Sequence, residues 1–238
     1  MIMQRQCKPR MLAMRLVLAA ALLALAAPGC AKRDMWPLQQ GNEWVYHEHF
    51  QFGVAPTGEV RYKVASVTER AGDTIAVIEV FRNDSEESVQ QIELTKTKDG
   101  IYESSRTLLI YVDDYQEVKI TFKPMNDKPP YLVTPKPKQG QTWNFKYQAE
   151  DLTFGASTVF SGQTIVEGTE TISPAAGQFK ALRIVSRAHE EDNIGFENRF
   201  YWFKPGVGPV KIEVQHMTEN SVLMLKRAKI GKKKIGKW

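Results

Sequence analysis

Val118-Lys119-Ile120-Thr121-Phe122 alternates apolar and polar side chains. Successive side chains of a strand point to opposite faces, so this period of two marks a strand with one buried face. The period recurs on both sides of it. Val60, Tyr62, Val64 and Val67 carry it upstream; Leu182, Ile184 with Val185, then Val210, Ile212 and Val214, carry it downstream. Ile75, Val77 and Phe81 alternate as well, although Ala76, Ile78 and Val80 make that stretch apolar on both faces. Turn formers separate the runs: Ala71-Gly72-Asp73, Asn83-Asp84-Ser85, Lys98-Asp99-Gly100, Pro174 to Gly177, and Lys204 to Pro209. No stretch after Cys30 holds a helical period for long. Connections of hairpin length favour antiparallel pairing. The expectation is an all-β, antiparallel protein of roughly a dozen strands.

Directly after Phe122, residues 123–140 carry Pro124, Pro129, Pro130, Pro135 and Pro137. Proline has no N–H to give a ladder, so this reads as a Pro-rich linker or a long loop. It separates a first β half, 37–122, from a second, 141–225. The halves open alike: Gly41-Asn42-Glu43-Trp44-Val45-Tyr46 matches Gly140-Gln141-Thr142-Trp143-Asn144-Phe145. The match predicts two related halves that form a sandwich or an open, curved half-barrel. Trp44, Tyr46, Phe50 and Phe52 share one strand face, and Trp143, Phe145, Tyr147 and Ala149 share the equivalent one. Such aromatics are most simply core anchors. The alternative makes Trp44, Trp143 and Trp202 the wall of an apolar ligand site.

The two ends differ from the body. Arg5, Lys8, Arg10 and Arg15 precede an apolar run from Leu16 to Ala27, and Ala27-Pro28-Gly29-Cys30 follows. A spanning helix needs roughly 20 apolar residues, so a 12-residue run is too short. A basic start, a short apolar run and small residues before a break read as a secretory signal, residues 1–29. The small residues before Cys30 resemble a lipobox. That resemblance implies lipidation of Cys30 by a diacylglyceryl group and an amide-linked acyl chain such as palmitate. Residues 30–36 then form a short tether. Ala31 rather than Asp after the cysteine resembles Gram-negative lipoproteins of the outer membrane that face the periplasm. At the other end, residues 226–238 form a basic tail. Lys232, Lys233, Lys234 and Trp238 are candidates for contact with an anionic surface; the simpler reading is a disordered tail.

Removing the signal leaves 28 basic and 27 acidic residues, of which seven basic ones lie in the tail. A mildly acidic body with a basic tail excludes a nucleic-acid-binding profile. Both cysteines, Cys7 and Cys30, lie at or before the cleavage point, so no intramolecular disulfide is expected.

The residues with chemical potential are few. His47 and His49 point to one strand face, as metal ligands do, but that face opposes Trp44 and Tyr46 and their counterparts are Lys146 and Gln148. His189-Glu190-Glu191-Asp192 lacks the spacing of a calcium loop. Gly206-Val207-Gly208 precedes no helix that would bind phosphate. No serine lies in a nucleophile elbow. No catalytic residue, metal site or cofactor is expected, and the chain does not read as an enzyme.

Pro37 to Tyr46, Ala176 to Leu182, and Phe200-Tyr201-Trp202-Phe203 with Gly206 to Lys211 follow one another in a set order. Together they resemble a family of uncharacterised bacterial secreted proteins and lipoproteins. Its members open with Pro-Leu-x-x-Gly-Asn-x-Trp-x-Tyr and close with Gly-Val-Gly-x-Val-Lys. Lys204-Pro205 departs from the turn usual there. The resemblance brings no catalytic residue with it. Two functions are carried forward. One is a non-catalytic cell-envelope lipoprotein acting as a scaffold or interaction module with an envelope protein partner. The other is a periplasmic carrier of a lipid or other apolar ligand in a β-sheet cavity. A cavity of several hundred Å³ separates them.

Overall fold

A computed structural model describes residues 34–52, 57–111, 115–126, 128–217 and 220–238. The signal peptide and Cys30 lie outside the described residues. Residues from Arg33 to Trp238 form one compact unit.

The period-two segments are strands. In chain order they are β1 (Glu43–Phe52), β2 (Gly58–Arg70), β3 (Asp73–Arg82), β4 (Gln90–Lys96), β5 (Ile101–Tyr111) and β6 (Tyr115–Pro124). Next come β7 (Thr142–Asp151), β8 (Ser157–Ile172), β9 (Phe179–Glu190) and β10 (Phe196–Lys204). β11 (Gly208–His216), β12 (Asn220–Ile230) and β13 (Lys233–Gly236) complete the series. Each pairs antiparallel with its neighbour in sequence, and β1 also pairs with β12 from Glu43↔Lys229 to Phe52↔Asn220. The first twelve strands therefore close into a barrel. This corrects the expected sandwich or open half-barrel. Closure pairs both outer edges of the meander and removes them as sites of aggregation.

All odd-numbered strands start at one end of the barrel, and that end is plugged. Met35, Trp36 and Leu38 from the N-terminal segment are buried there, as are Tyr131, Leu132 and Val133. The Pro-rich segment is thus packed into the barrel rather than linking two bodies. Its backbone is tied in: Ile101 N–H donates to the Val133 carbonyl at 2.9 Å, and Leu132 N–H to that of Ile101 at 2.7 Å. Trp143 Nε1–H donates to the Tyr131 carbonyl at 3.2 Å. Gly100 lies under this segment, where a Cβ would come within 2.6 Å of Tyr131 Cδ1.

The opening and closing motifs meet at the same end. Trp44 Nε1–H donates to the Val207 carbonyl at 2.6 Å and Tyr46 Oη–H to that of Pro209 at 2.9 Å, each pair 163 residues apart. Trp36 lies edge-on to Trp44 with centroids 6.3 Å apart. The two matched openings share one backbone pattern. Gly41 and Gly140 have φ of 82° and 79°. Gly41 N–H donates to Val64 at 2.9 Å, as Gly140 N–H does to Val166 at 2.8 Å.

The basic tail is not a separate segment. β12 runs through the expected boundary at 225/226, and β13 returns along it. Trp238 packs beneath Arg227 and Lys234, whose charged groups lie 5.6 and 5.2 Å from its ring.

Candidate functional site

Above the plug the barrel interior is not filled. A cavity of about 590 Å³ extends toward the opposite, open end. Trp36 and Leu132 form its floor, and Val60, Ile92, Leu108, Ile120, Ile212 and Leu223 supply apolar wall. Glu48, Arg82, Gln90, Glu103, Arg106, Glu197, Arg199 and His216 also line it.

These charged groups face inward for reasons of strand parity. On β10, Glu197 and Arg199 are in phase with the inward Tyr201 and Phe203, and on β1 Glu48 is in phase with Trp44 and Tyr46. On β5, Glu103 and Arg106 are three apart, which would put them on opposite faces of a regular strand. Ser104 is skipped in the β4 pairing, since Leu94 faces Glu103 and Glu93 faces Ser105. The bulge turns both side chains into the barrel.

Inside, the charges form a linked set. Glu103 accepts from Arg106 Nε at 2.7 Å and Nη2 at 2.9 Å, and from Arg199 Nη1 at 2.6 Å. Arg199 Nε also meets Glu197 at 2.5 Å. Burial alone would push the Glu103 carboxyl up; the Arg106 and Arg199 charges outweigh it and hold it down at about 2. Burial likewise opposes ionisation of Glu197, and Arg199 and Arg106 overcome it to lower its pKa. Nearer the mouth, Arg82 Nη1 donates to the buried Glu48 at 2.5 Å. Each arginine of the cavity is matched by a carboxylate, so the two groups carry no net charge between them. The arrangement offers hydrogen bonds and an apolar wall to an enclosed molecule.

The expected ligand wall lies elsewhere. Trp44 and Trp143 are buried at the plugged end and do not line the cavity. Trp202 is on the outer face, because its parity opposes that of Tyr201 and Phe203. There it donates to Glu170 and is covered by Lys211 Nζ, 4.0 Å from its ring. His47 and His49 are also outside, with ring centroids 4.4 Å apart, beside an open hollow of about 600 Å³ shared with Ser173 and Pro174. Ser161 Oγ lies 3.0 Å from His189 Nε2, but the two are cross-strand partners on the exposed outer face. Sequence reasoning missed Glu48, Glu103, Arg106, Glu197 and Arg199. Parity with the buried aromatics was the available signal for Glu48, Glu197 and Arg199.

The open end carries apolar tips. Leu152 and Phe154 in the β7–β8 turn, Ile194 and Phe196 at the β9–β10 turn and Met217 after β11 are all exposed. Neighbouring strands bear these turns, so they form one crescent of the rim.

No family model and no curated protein matches the chain by sequence. Solved structures share its fold. A Bacteroides fragilis protein described as exported and of YmcC-like fold superposes with a TM-score of 0.50 at 13% identity. The match covers 83% of this chain and 99% of that one. A Parabacteroides distasonis protein described as a lipoprotein gives 0.50 at 14% identity, with the same coverage of both chains. The Escherichia coli lipoprotein YmcC gives 0.39 at 10% identity over 94% of this chain and 97% of that one. At these identities the first two likenesses establish the fold.

Proposed function

We propose that this chain is a non-catalytic cell-envelope lipoprotein that carries an amphipathic molecule inside its barrel. The observation that carries the reading is the cavity of about 590 Å³, a volume within the range of small-molecule sites. Its lining joins apolar side chains to polar ones, and Glu103, Arg106, Glu197 and Arg199 form a linked polar set that crosses the interior from β5 to β10. Because those charges cancel, the ligand has an apolar body and a neutral or zwitterionic polar end. Export by the N-terminal signal and acylation of Cys30 would place the carrier on a membrane facing the periplasm, the outer membrane in a Gram-negative cell. The lipoprotein description of the Parabacteroides distasonis protein supports that placement by analogy.

Native mass spectrometry of the barrel, purified from a bacterial envelope without detergent, tests the reading. An added mass that extracts into organic solvent is the expected result. A bare chain mass in repeated preparations overturns it. A second reading, an interaction module, is favoured by the exposed apolar crescent at the rim.

A further inference from the structure

The connecting segments at the two ends of the barrel carry opposite charge. At the plugged end, the described turns and the C-terminal hairpin hold Lys98, Lys128, Lys136, Lys138, Lys232, Lys233, Lys234 and Lys237. Against them stand Asp34, which is paired with Lys96 at 3.0 Å, and Asp99. All eight lysines are exposed. At the open end, the described turns hold Asp84, Glu86, Glu87, Glu191 and Asp192, and no basic residue. The basic groups do not come from one stretch of chain. Lys128, Lys136 and Lys138 belong to the segment between β6 and β7, whereas Lys232, Lys233 and Lys234 lie beyond β12, half-way around the barrel. Basic groups therefore stand on opposite sides of that end. Trp238, half exposed, adds an amphipathic ring to it.

We infer that this basic end docks on an anionic lipid bilayer and holds the barrel upright, with its acidic, apolar-tipped mouth directed away from that membrane. Two independent observations agree. The charge of the face complements an anionic leaflet, to which each nearby Lys or Arg adds attraction. The chain also enters the barrel at this end: Asp34 accepts from Gly206 N–H at 2.7 Å, only four residues after Cys30. Four extended residues span at most ~14 Å, so an acyl group on Cys30 would bring the same face to the bilayer. The docking itself does not require that acyl group or a carried ligand. It persists or fails independently of the carrier reading.

Flotation with lipid vesicles tests the inference on the barrel body, residues 33–238, which contains every strand pairing described. Vesicles of phosphatidylcholine with a third phosphatidylglycerol are expected to carry the protein at low salt. Binding is expected to fall steeply as salt rises and to be absent with phosphatidylcholine alone. The Lys232→Gln/Lys233→Gln/Lys234→Gln variant should bind roughly 100-fold more weakly. The Lys136→Gln/Lys138→Gln variant should also weaken binding, since it removes charge from the other side of the same face. Equal binding to both vesicle types, no binding to the anionic ones, or indifference to either set of substitutions overturns the inference. So does a loss of flotation in Phe154→Ser/Ile194→Ser with the lysine variants unaffected, because that result would put the mouth on the membrane.

Discussion

Arg199 of β10 reaches Glu103 of β5 at 2.6 Å, although these strands are not neighbours in the sheet. The pair crosses the inside of the barrel and ties together walls that strand pairing leaves apart. Only 12% of the Arg199 side chain and 7% of that of Glu103 are exposed, and breaking so sheltered a pair from one side leaves an uncompensated charge.

Glu103→Gln is therefore expected to cost about 3 kcal/mol at pH 7. The folded carboxyl sits at about 2, below its ordinary 4.5, so ionisation stabilises the fold above 4.5. That contribution is lost as pH falls through the folded value. The stability gap between wild type and Glu103→Gln should hold from pH 7 to about 5 and close between about 4.5 and 2. Urea unfolding at several pH values measures it. A gap that stays constant down to pH 2 would show that Glu103 acts only through packing.

Leu132 is buried at the junction of plug and cavity. Leu132→Ala removes apolar contact and leaves space next to space that already exists, so little can collapse to fill it. The expected loss is about 2–5 kcal/mol, seen as a lower unfolding midpoint. Unchanged stability would mean that residues 129–133 cover the barrel end without supporting it.

The strands were legible because each one obeys the period of two over most of its length. Closure was not: the β1–β12 ladder joins residues such as Glu43 and Lys229, and no local pattern encodes so distant a pairing. The plug was misread because prolines dominated the view of residues 123–140. Tyr131-Leu132-Val133 is an apolar triplet among them, too apolar to lie on a surface. The inward charges were hidden in two ways. Glu197 and Arg199 are polar residues that only parity with Tyr201 and Phe203 places inside the barrel. Arg106 could not be placed by parity, since the bulge at Ser104 resets the phase and nothing in the local sequence announces it. Trp202, the third candidate for a ligand wall, is assigned to the outer face by the parity of its own strand with Tyr201 and Phe203.

Ala149 lines the cavity in its mouth-side half. Ala149→Trp places a large ring in space that is open in the wild type, so the barrel is expected to fold with a small change in stability. A molecule that co-purifies with the wild-type barrel should then be absent or reduced at least severalfold, roughly, in native mass spectra of the variant. Far-ultraviolet circular dichroism controls for folding. An unchanged added mass in a folded variant would place the ligand outside the cavity.

Ile194 and Phe154 lie at the tips of two hairpins on the rim, exposed by 80% and 59%. Side chains so placed contribute little to folding, and replacing both by serine should shift stability by no more than about 0.5 kcal/mol each. Their cost is borne in solvent, where an apolar crescent beside acidic turns favours association with a partner of complementary, basic surface. A photo-crosslinking residue at position 194 is expected to give one adduct of defined mass in the envelope, and Phe154→Ser should lower its yield severalfold, roughly, while the unfolding midpoint stays in place. If the adducts are diffuse, or insensitive to Phe154, the rim is only the border of the mouth and the interaction-module reading falls.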